Sequence, residues 1–141
     1  MSDPMAAVGG IGQRQQVGVW TVRLVWFLRA MAAIALLKGL YHWSVVIGIF
    51  DRATSTFETS STAWQAATIF FAVIDLVAAI GLWLTAAWGG VVWLTAAISM
   101  AAVELFFPQI YGGRFLVVLA ELGMIGGYLA LAVLAARERP P

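Results

Sequence analysis

The chain has 141 residues, of which 62% are hydrophobic and 11% are charged, and its mean hydropathy is +0.93. Soluble domains are about half apolar and about a quarter charged, so this composition excludes an ordinary soluble protein and indicates an integral membrane protein. A net charge of +1 without a basic run excludes nucleic acid as a partner, and the absence of cysteine excludes disulfides, thiolate chemistry and cysteine-ligated metals.

The N-terminal residues differ from the rest of the chain. Residues 1–16 contain three glycines, three glutamines and Pro4 without an apolar period, which predicts a disordered tail. Residues 17–29 combine apolar and aromatic residues with Arg23 and Arg29, which predicts a short amphipathic lead-in at the membrane interface. No apolar segment of a cleaved signal peptide precedes it, so we expect the first span to serve as the insertion signal.

The first span has two possible registers. A membrane-crossing helix needs about 20 apolar residues, and residues 30–50 supply them if Lys38 and His42, the only histidine, lie inside the membrane. The rival register, residues 17–37, would bury two arginines instead. Because a cation near the bilayer centre costs about 2.5–3.5 kcal/mol, residues 30–50 are the preferred prediction.

Three further apolar segments predict three more spans. Residues 51–62 are polar and predict a solvent loop before a second span at 63–87. Trp88-Gly89-Gly90 is expected to turn the chain into a third span at 91–107, which ends before a proline that cannot continue the helix. The fourth span is expected at 114–136.

These elements predict an all-α, polytopic membrane protein with four transmembrane helices in an antiparallel bundle, contained in a domain of residues 17–136. A charged tail, residues 137–141, follows. An even number of spans places both termini on one side of the membrane. The arginines are unequally distributed, and the positive-inside rule places both termini in the cytoplasm. Five flank the terminal side (Arg14, Arg23, Arg29, Arg137, Arg139) and two flank the other (Arg52, Arg114).

Five titratable residues within the expected spans form a predicted polar intramembrane cluster: Lys38, His42, Asp75, Glu104 and Glu121. With a rise of about 1.5 Å per residue, Lys38 and Asp75 fall at a similar depth, which predicts an ion pair. His42, Glu104 and Glu121 fall at a second depth nearer the periplasm, where we expect them to line one polar cavity. A pair that only sets helix register is the alternative for the first group.

The second group leaves several kinds of chemistry open. Two carboxylates and an imidazole could relay protons, act as an acid/base pair or bind a metal, and the alternative is a hydrogen-bonded structural plug. Because the three residues lie on different helices without a spacing motif, we assign no catalytic residue, metal ligand or cofactor.

The fourth span carries two further patterns. Gly123-x-x-x-Gly127 permits close approach of another helix, either within the bundle or from a second protein. Arg114, Glu121 and Tyr128 follow at intervals of seven residues, so they share one helix face, which we expect to point inward.

Three short segments carry a family resemblance: residues 35–43, residues 71–75 and residues 103–108. An apolar helix with a central Lys-Gly, and a glutamate just before an aromatic-proline turn, resemble small four-helix bacterial inner-membrane proteins catalogued only as domains of unknown function. The resemblance covers about residues 20–136. It implies a four-span protein with Lys38, Asp75 and Glu104 as characteristic polar positions, and it implies no activity.

Two functions agree with these observations. The first interpretation is a non-enzymatic accessory or interaction subunit of a membrane assembly, or a protein of envelope maintenance, because the expected loops are short and carry no motif. Its partners would be the lipid bilayer, other membrane subunits or a second copy. The alternative is a small proton-coupled transporter or channel, because five titratable residues lie within the spans.

The first prediction concerns topology. Alkaline phosphatase fused to the C terminus should be inactive, because the enzyme folds only in the periplasm, and a fusion within residues 51–62 should be active. Enzyme activity in whole cells measures both. An active C-terminal fusion would contradict the topology and the side assigned to each polar residue.

Overall fold

The computed structural model describes residues 17–50 and 56–139. Helices make up 85% of these residues, which contain no strand. Four of the helices in the described part are long and apolar enough to cross a membrane, so the all-α, four-span prediction is confirmed. The helices are α1 Val19–Val46, α2 Thr56–Thr59, α3 Thr62–Trp83, α4 Ala87–Phe106, α5 Pro108–Tyr111 and α6 Phe115–Arg137.

The four long helices form a ring. Helix α1 packs against α3 and α6, and α4 packs against the same two helices. Each long helix therefore has two neighbours, and the four together enclose one interior. Consecutive long helices run antiparallel. We call the end where α1 begins and α6 ends the terminal end, and the end that carries α2 and α5 the loop end.

The distribution of side chains is that of a membrane protein. Most of the buried apolar residues are small, because eight of them are alanines and include Ala72 and Ala78, which are fully buried. Large apolar side chains point outward, as with Leu37 and Leu116, which are 67% and 79% exposed. Small residues let helices approach closely, and lipid accepts the outer leucines. The chain is therefore a multi-pass membrane protein.

Helix α1 differs from the predicted first span in its bounds. Its 28 residues join the expected lead-in and the expected span into one element, and it ends at Val46, before a turn in which Gly48 has a φ of 68°. No glycine or proline interrupts residues 19–38, so nothing stops the helix at the membrane interface. Both candidate registers lie on this helix, and Lys38 and His42 are within it.

Glu138 ties the two ends of the domain together. Its carboxylate accepts hydrogen bonds from the backbone N–H groups of Trp20 and Thr21, both at 3.1 Å, in the first turn of α1. The Trp20 hydrogen bond in particular lowers the pKa of Glu138. A carboxyl whose pKa falls on folding stabilises the fold at neutral pH and loses that effect as the pH drops through the lowered value. Helix α1 is thus capped by the residue that follows α6.

The turn between the second and third spans lies earlier than predicted. It consists of Leu84–Ala86, with Thr85 at a φ of 52°, and the predicted turn residues Gly89 and Gly90 are buried in α4. A Cβ on Gly89 would lie 2.6 Å from the backbone nitrogen of Leu82 and would also collide with Gly81. The glycines therefore serve close packing of α3 on α4, which a sequence pattern does not distinguish from a turn.

This packing predicts opposite effects of one substitution at two glycines. Gly89→Ala should lower the free energy of unfolding by about 1–3 kcal/mol, the usual cost of overpacking. Gly123→Ala is the matched control, since nothing lies within 4 Å of its added methyl group, and alanine should stabilise α6 by up to about 1 kcal/mol. Thermal unfolding in one detergent compares them, and equal effects would contradict the packing role of Gly89.

Candidate functional site

Lys38 lies between two buried carboxylates. Its Nζ donates a hydrogen bond of 2.7 Å to Glu121 Oε1 on α6 and lies 3.8 Å from Asp75 Oδ1 on α3. The side chains of Asp75 and Glu121 are 1% and 4% exposed. The lysine on α1 therefore connects three of the four spans, and its closer partner is Glu121 rather than the Asp75 expected from depth.

His42 follows Lys38 by one helical turn and completes this group. Its Nδ1 lies 2.9 Å from the Lys38 carbonyl oxygen and 3.9 Å from Asp75 Oδ2. Because a carbonyl oxygen only accepts, the short contact requires the proton on Nδ1. We call Lys38, His42, Asp75 and Glu121 the buried quartet; the last three are buried, and the side chain of Lys38 is 27% exposed.

The quartet contains two oxygen atoms with unused hydrogen-bonding capacity. Asp75 Oδ2 and Glu121 Oε2 are buried and have no hydrogen-bond partner among the described residues. Most buried polar atoms are paired, because an unpaired one forfeits its hydration. The two acids also outnumber the single lysine, so the quartet lacks one positive charge when His42 is neutral.

Glu104 belongs to a separate ion pair. Its fully buried carboxylate accepts hydrogen bonds from Arg114 Nε at 3.0 Å, from Arg114 Nη2 at 2.8 Å and from the Arg114 backbone N–H at 2.8 Å. Gly112 and Gly113, with φ of 88° and 62°, turn the chain so that Arg114 returns to the end of α4. Left-handed φ values of this kind favour glycine.

The three residues expected to share one cavity are thus divided. Glu121 is paired with Lys38, and Glu104 is paired with Arg114. Of the three, His42 alone lines the cavity that lies at this level. Equal depth does not fix the direction in which a side chain points around the helix axis, and each acid turns to its nearest cation. Arg114 occupies the N-cap position of α6, and its side chain, 57% exposed, binds Glu104 instead of sharing the direction of Glu121.

The cavity at the loop end has a volume of about 350 Å³ and lies beside the quartet. Its walls come from α1, α3, α5 and the turn after α5. Thr68 Oγ1 and the Tyr111 hydroxyl share a hydrogen bond of 3.0 Å across it. Burial raises the pKa of Tyr111, so its hydroxyl keeps its proton at neutral pH. The lining residues are Tyr41, His42, Val45, Trp64, Thr68, Ile110, Tyr111, Gly112 and Arg114.

Sequence reasoning missed most of this lining, although a signal for part of it exists. Thr68 precedes Asp75 by seven residues, so both lie on one face of α3, and a polar residue on that face points to the interior. Tyr111 carries no such signal, because its position depends on the fold of the turn after Pro108.

The two glycines of the Gly123-x-x-x-Gly127 pattern have different surroundings. A Cβ on Gly127 would lie 3.5 Å from the Phe27 ring, so this glycine packs within the bundle, whereas Gly123 has open space around it. Tyr128 packs edge-on against Trp93, with ring centroids 5.6 Å apart, toward the terminal end.

No group of three or more histidine or acidic side chains in the described residues is placed to hold a metal ion.

The quartet predicts a specific pattern of energetic coupling. Lys38→Met should destabilise the fold by about 3–5 kcal/mol, because it leaves two buried carboxylates without a cation. Glu121→Gln should cost less, because Lys38 keeps Asp75 as a charged partner. The double variant should recover part of this loss, with a coupling energy of about 0.5–3 kcal/mol. Coupling of Lys38 with Asp75 should be smaller, since that contact is longer.

Glu104 provides the control for this cycle. Its carboxylate is occupied by Arg114, so Lys38→Met and Glu104→Gln should have additive effects on the unfolding free energy. Chemical denaturation in mixed micelles gives all the values. Additive effects for Lys38 and Glu121 would show that the hydrogen bond between them contributes no stability.

Comparison with known proteins gives a family and no activity. No curated protein and no solved structure matches the chain significantly. A family model, described as a family of unknown function (DUF6163), matches residues 22–139, which include nearly all of α1, the whole of the other three spans and every residue of both ion pairs. The resemblance to a family of unknown function is thereby confirmed, and the chain belongs to DUF6163.

Proposed function

We propose that the protein is a small proton-coupled membrane transporter whose buried quartet takes up and releases one proton. The observation that carries this proposal is the pair of acids, Asp75 and Glu121, that share one lysine and leave one oxygen each without a hydrogen-bond partner. Either of these two oxygens could carry a proton in the interior of the bundle.

The charge balance favours this proposal over a purely structural ion pair. With both acids ionised, Lys38 protonated and His42 neutral, the quartet carries one excess negative charge in an environment that solvates charge poorly. An uncompensated buried ion has an effective penalty of several kcal/mol, so a proton on an acid or on His42 stabilises the group. Because the acids are coupled through Lys38, the proton belongs to the group rather than to one residue.

Access to the quartet differs between the two ends of the bundle. At the loop end, His42 connects the cavity to Asp75, because it lines the cavity and its Nδ1 lies 3.9 Å from Asp75 Oδ2. Toward the terminal end the interior is filled by a core of Met31, Ala32, Ala78, Leu82 and Trp93. A proton site open to one side and closed by apolar packing on the other is what one state of a coupled transporter requires.

The arginine distribution extends the proposal to orientation. Arg23, Arg29, Arg137 and Arg139 lie at the terminal end, which we place in the cytoplasm of a bacterial inner membrane. The cavity then opens toward the periplasm, the side from which protons enter a cell down their gradient.

Spectroscopy on the purified protein in nanodiscs tests the proton site directly. Infrared difference spectra should show the carbonyl band of a protonated carboxyl that disappears as the pH rises, and Asp75→Asn or Glu121→Gln should remove or shift it. Nitrogen NMR of His42 covers the case in which the imidazole holds the proton. Glu138→Gln, a change of the same kind outside the spans, should leave these signals unchanged.

Flux measurements then test the coupling. When the medium outside proteoliposomes is made acidic, a pH-sensitive dye inside them reports the pH of the lumen. The lumen should acidify more slowly with Asp75→Asn than with the wild type or Glu138→Gln. If neither the carboxyls nor His42 change protonation in folded protein, the quartet is a structural ion pair and the proposal is wrong.

One observation favours a second candidate, an interaction subunit of a membrane assembly. Nothing lies within 4 Å of a Cβ built on Gly123 or Gly126, so α6 presents a flat strip on which another helix could pack. Purification from native membranes with partners in fixed stoichiometry would favour this role.

A further inference from the structure

We propose that the cavity at the loop end binds a small aromatic carboxylate, which is a substrate class for the proton-coupled transport proposed above. The role as substrate rests on that proposed function, whereas the binding site rests on the cavity alone.

The lining offers one cationic donor to an anion. Arg114 is the only residue with a permanent charge among the nine that form the walls, and no acid is among them. Glu104 occupies Nε and Nη2 of this arginine, and no hydrogen bond in the described part of the chain uses Nη1. Because Glu104 is fully buried and Arg114 is 57% exposed, one edge of the guanidinium remains available to a carboxylate.

Two further groups can donate to the same ligand. In the hydrogen bond between Thr68 and Tyr111, one hydroxyl donates and the other accepts, so the accepting hydroxyl keeps a proton for a ligand. His42 uses Nδ1 for the Lys38 carbonyl, and its Nε2 donates to an anion only when the ring is protonated. Binding of the carboxylate is therefore linked to uptake of a proton.

The walls carry aromatic rings that can contact the ring of a ligand. The ring centroids of Trp64 and Tyr111 are 6.3 Å apart, and those of His42 and Tyr111 are also 6.3 Å apart, with the ring planes tilted. Tyr41 contributes a fourth ring to the lining. Binding clefts measure about 300–1,000 Å³, and a cavity of about 350 Å³ suits a molecule with a single ring.

Benzoate is the probe for this site, with benzamide as a neutral ligand of the same shape and cyclohexanecarboxylate as an anion without an aromatic ring. Titration calorimetry of the protein in nanodiscs should show saturable binding of benzoate, with at least a tenfold weaker affinity for either analogue. Empty nanodiscs correct for partition of each ligand into lipid. Benzoate affinity should rise as the pH falls, and His42→Gln should remove this dependence.

Conservative variants test the location without disturbing the ion pairs. Thr68→Val removes a hydroxyl from the cavity, and Tyr111→Phe removes its partner, so each should weaken benzoate binding severalfold. Thr95→Val is the control, because this hydroxyl bonds the Val91 carbonyl of its own helix and lies outside the cavity lining.

The outcomes separate this inference from the proposed function. Absence of saturable benzoate binding, equal affinity for benzamide, or equal effects of Thr68→Val and Thr95→Val would overturn the site. Saturable, Thr68-dependent binding in a protein whose quartet does not titrate would support the site and refute proton coupling. Titration of the quartet without benzoate binding would support proton coupling and refute the binding site.

Discussion

A lysine ammonium in the interior of a lipid-facing bundle is the constraint on which the arrangement of the helices depends. A cation is costly in lipid, and the Lys38 ammonium is accommodated by an acid from each of two helices, Glu121 of α6 at 2.7 Å and Asp75 of α3 at 3.8 Å. This requirement fixes the rotation and the depth of three helices at once. Helix α4 takes no part in the quartet, and its own acid, Glu104, is satisfied by Arg114 at the loop end.

The two ends of the bundle serve different purposes as a result. Toward the terminal end the helices approach closely through Gly81 and Gly89, the apolar core is dense, and Glu138 caps α1. Toward the loop end the helices leave room for a cavity with hydroxyl, imidazole and guanidinium groups. The polar half of the interior thus adjoins a closed apolar half, and this contrast supports one-sided access to the quartet.

A series of neighbouring polar and aromatic side chains runs through the loop half. It begins at the Glu104–Arg114 pair, passes the Tyr111 ring, 6.0 Å from the Arg114 guanidinium, and reaches His42, whose ring lies 6.3 Å from that of Tyr111. From His42 it continues to Asp75. In water such contacts would contribute little, but in a membrane interior polar groups have few other partners. The series gives the proposed proton and the proposed carboxylate adjacent positions.

The membrane class, the number of spans and the charged residues within the spans could be predicted from the sequence, because hydropathy and length are local properties and charged residues in apolar segments are conspicuous. The similar depth of Lys38 and Asp75 could also be predicted, since helical rise is fixed. Three features required the folded structure: Glu121 is the closer partner of Lys38, Arg114 pairs with Glu104, and Gly89 packs against Gly81 rather than turning the chain. Each of these depends on the rotation of one helix relative to another, which is set by contacts between residues far apart in the chain and leaves no periodic signal within any single segment.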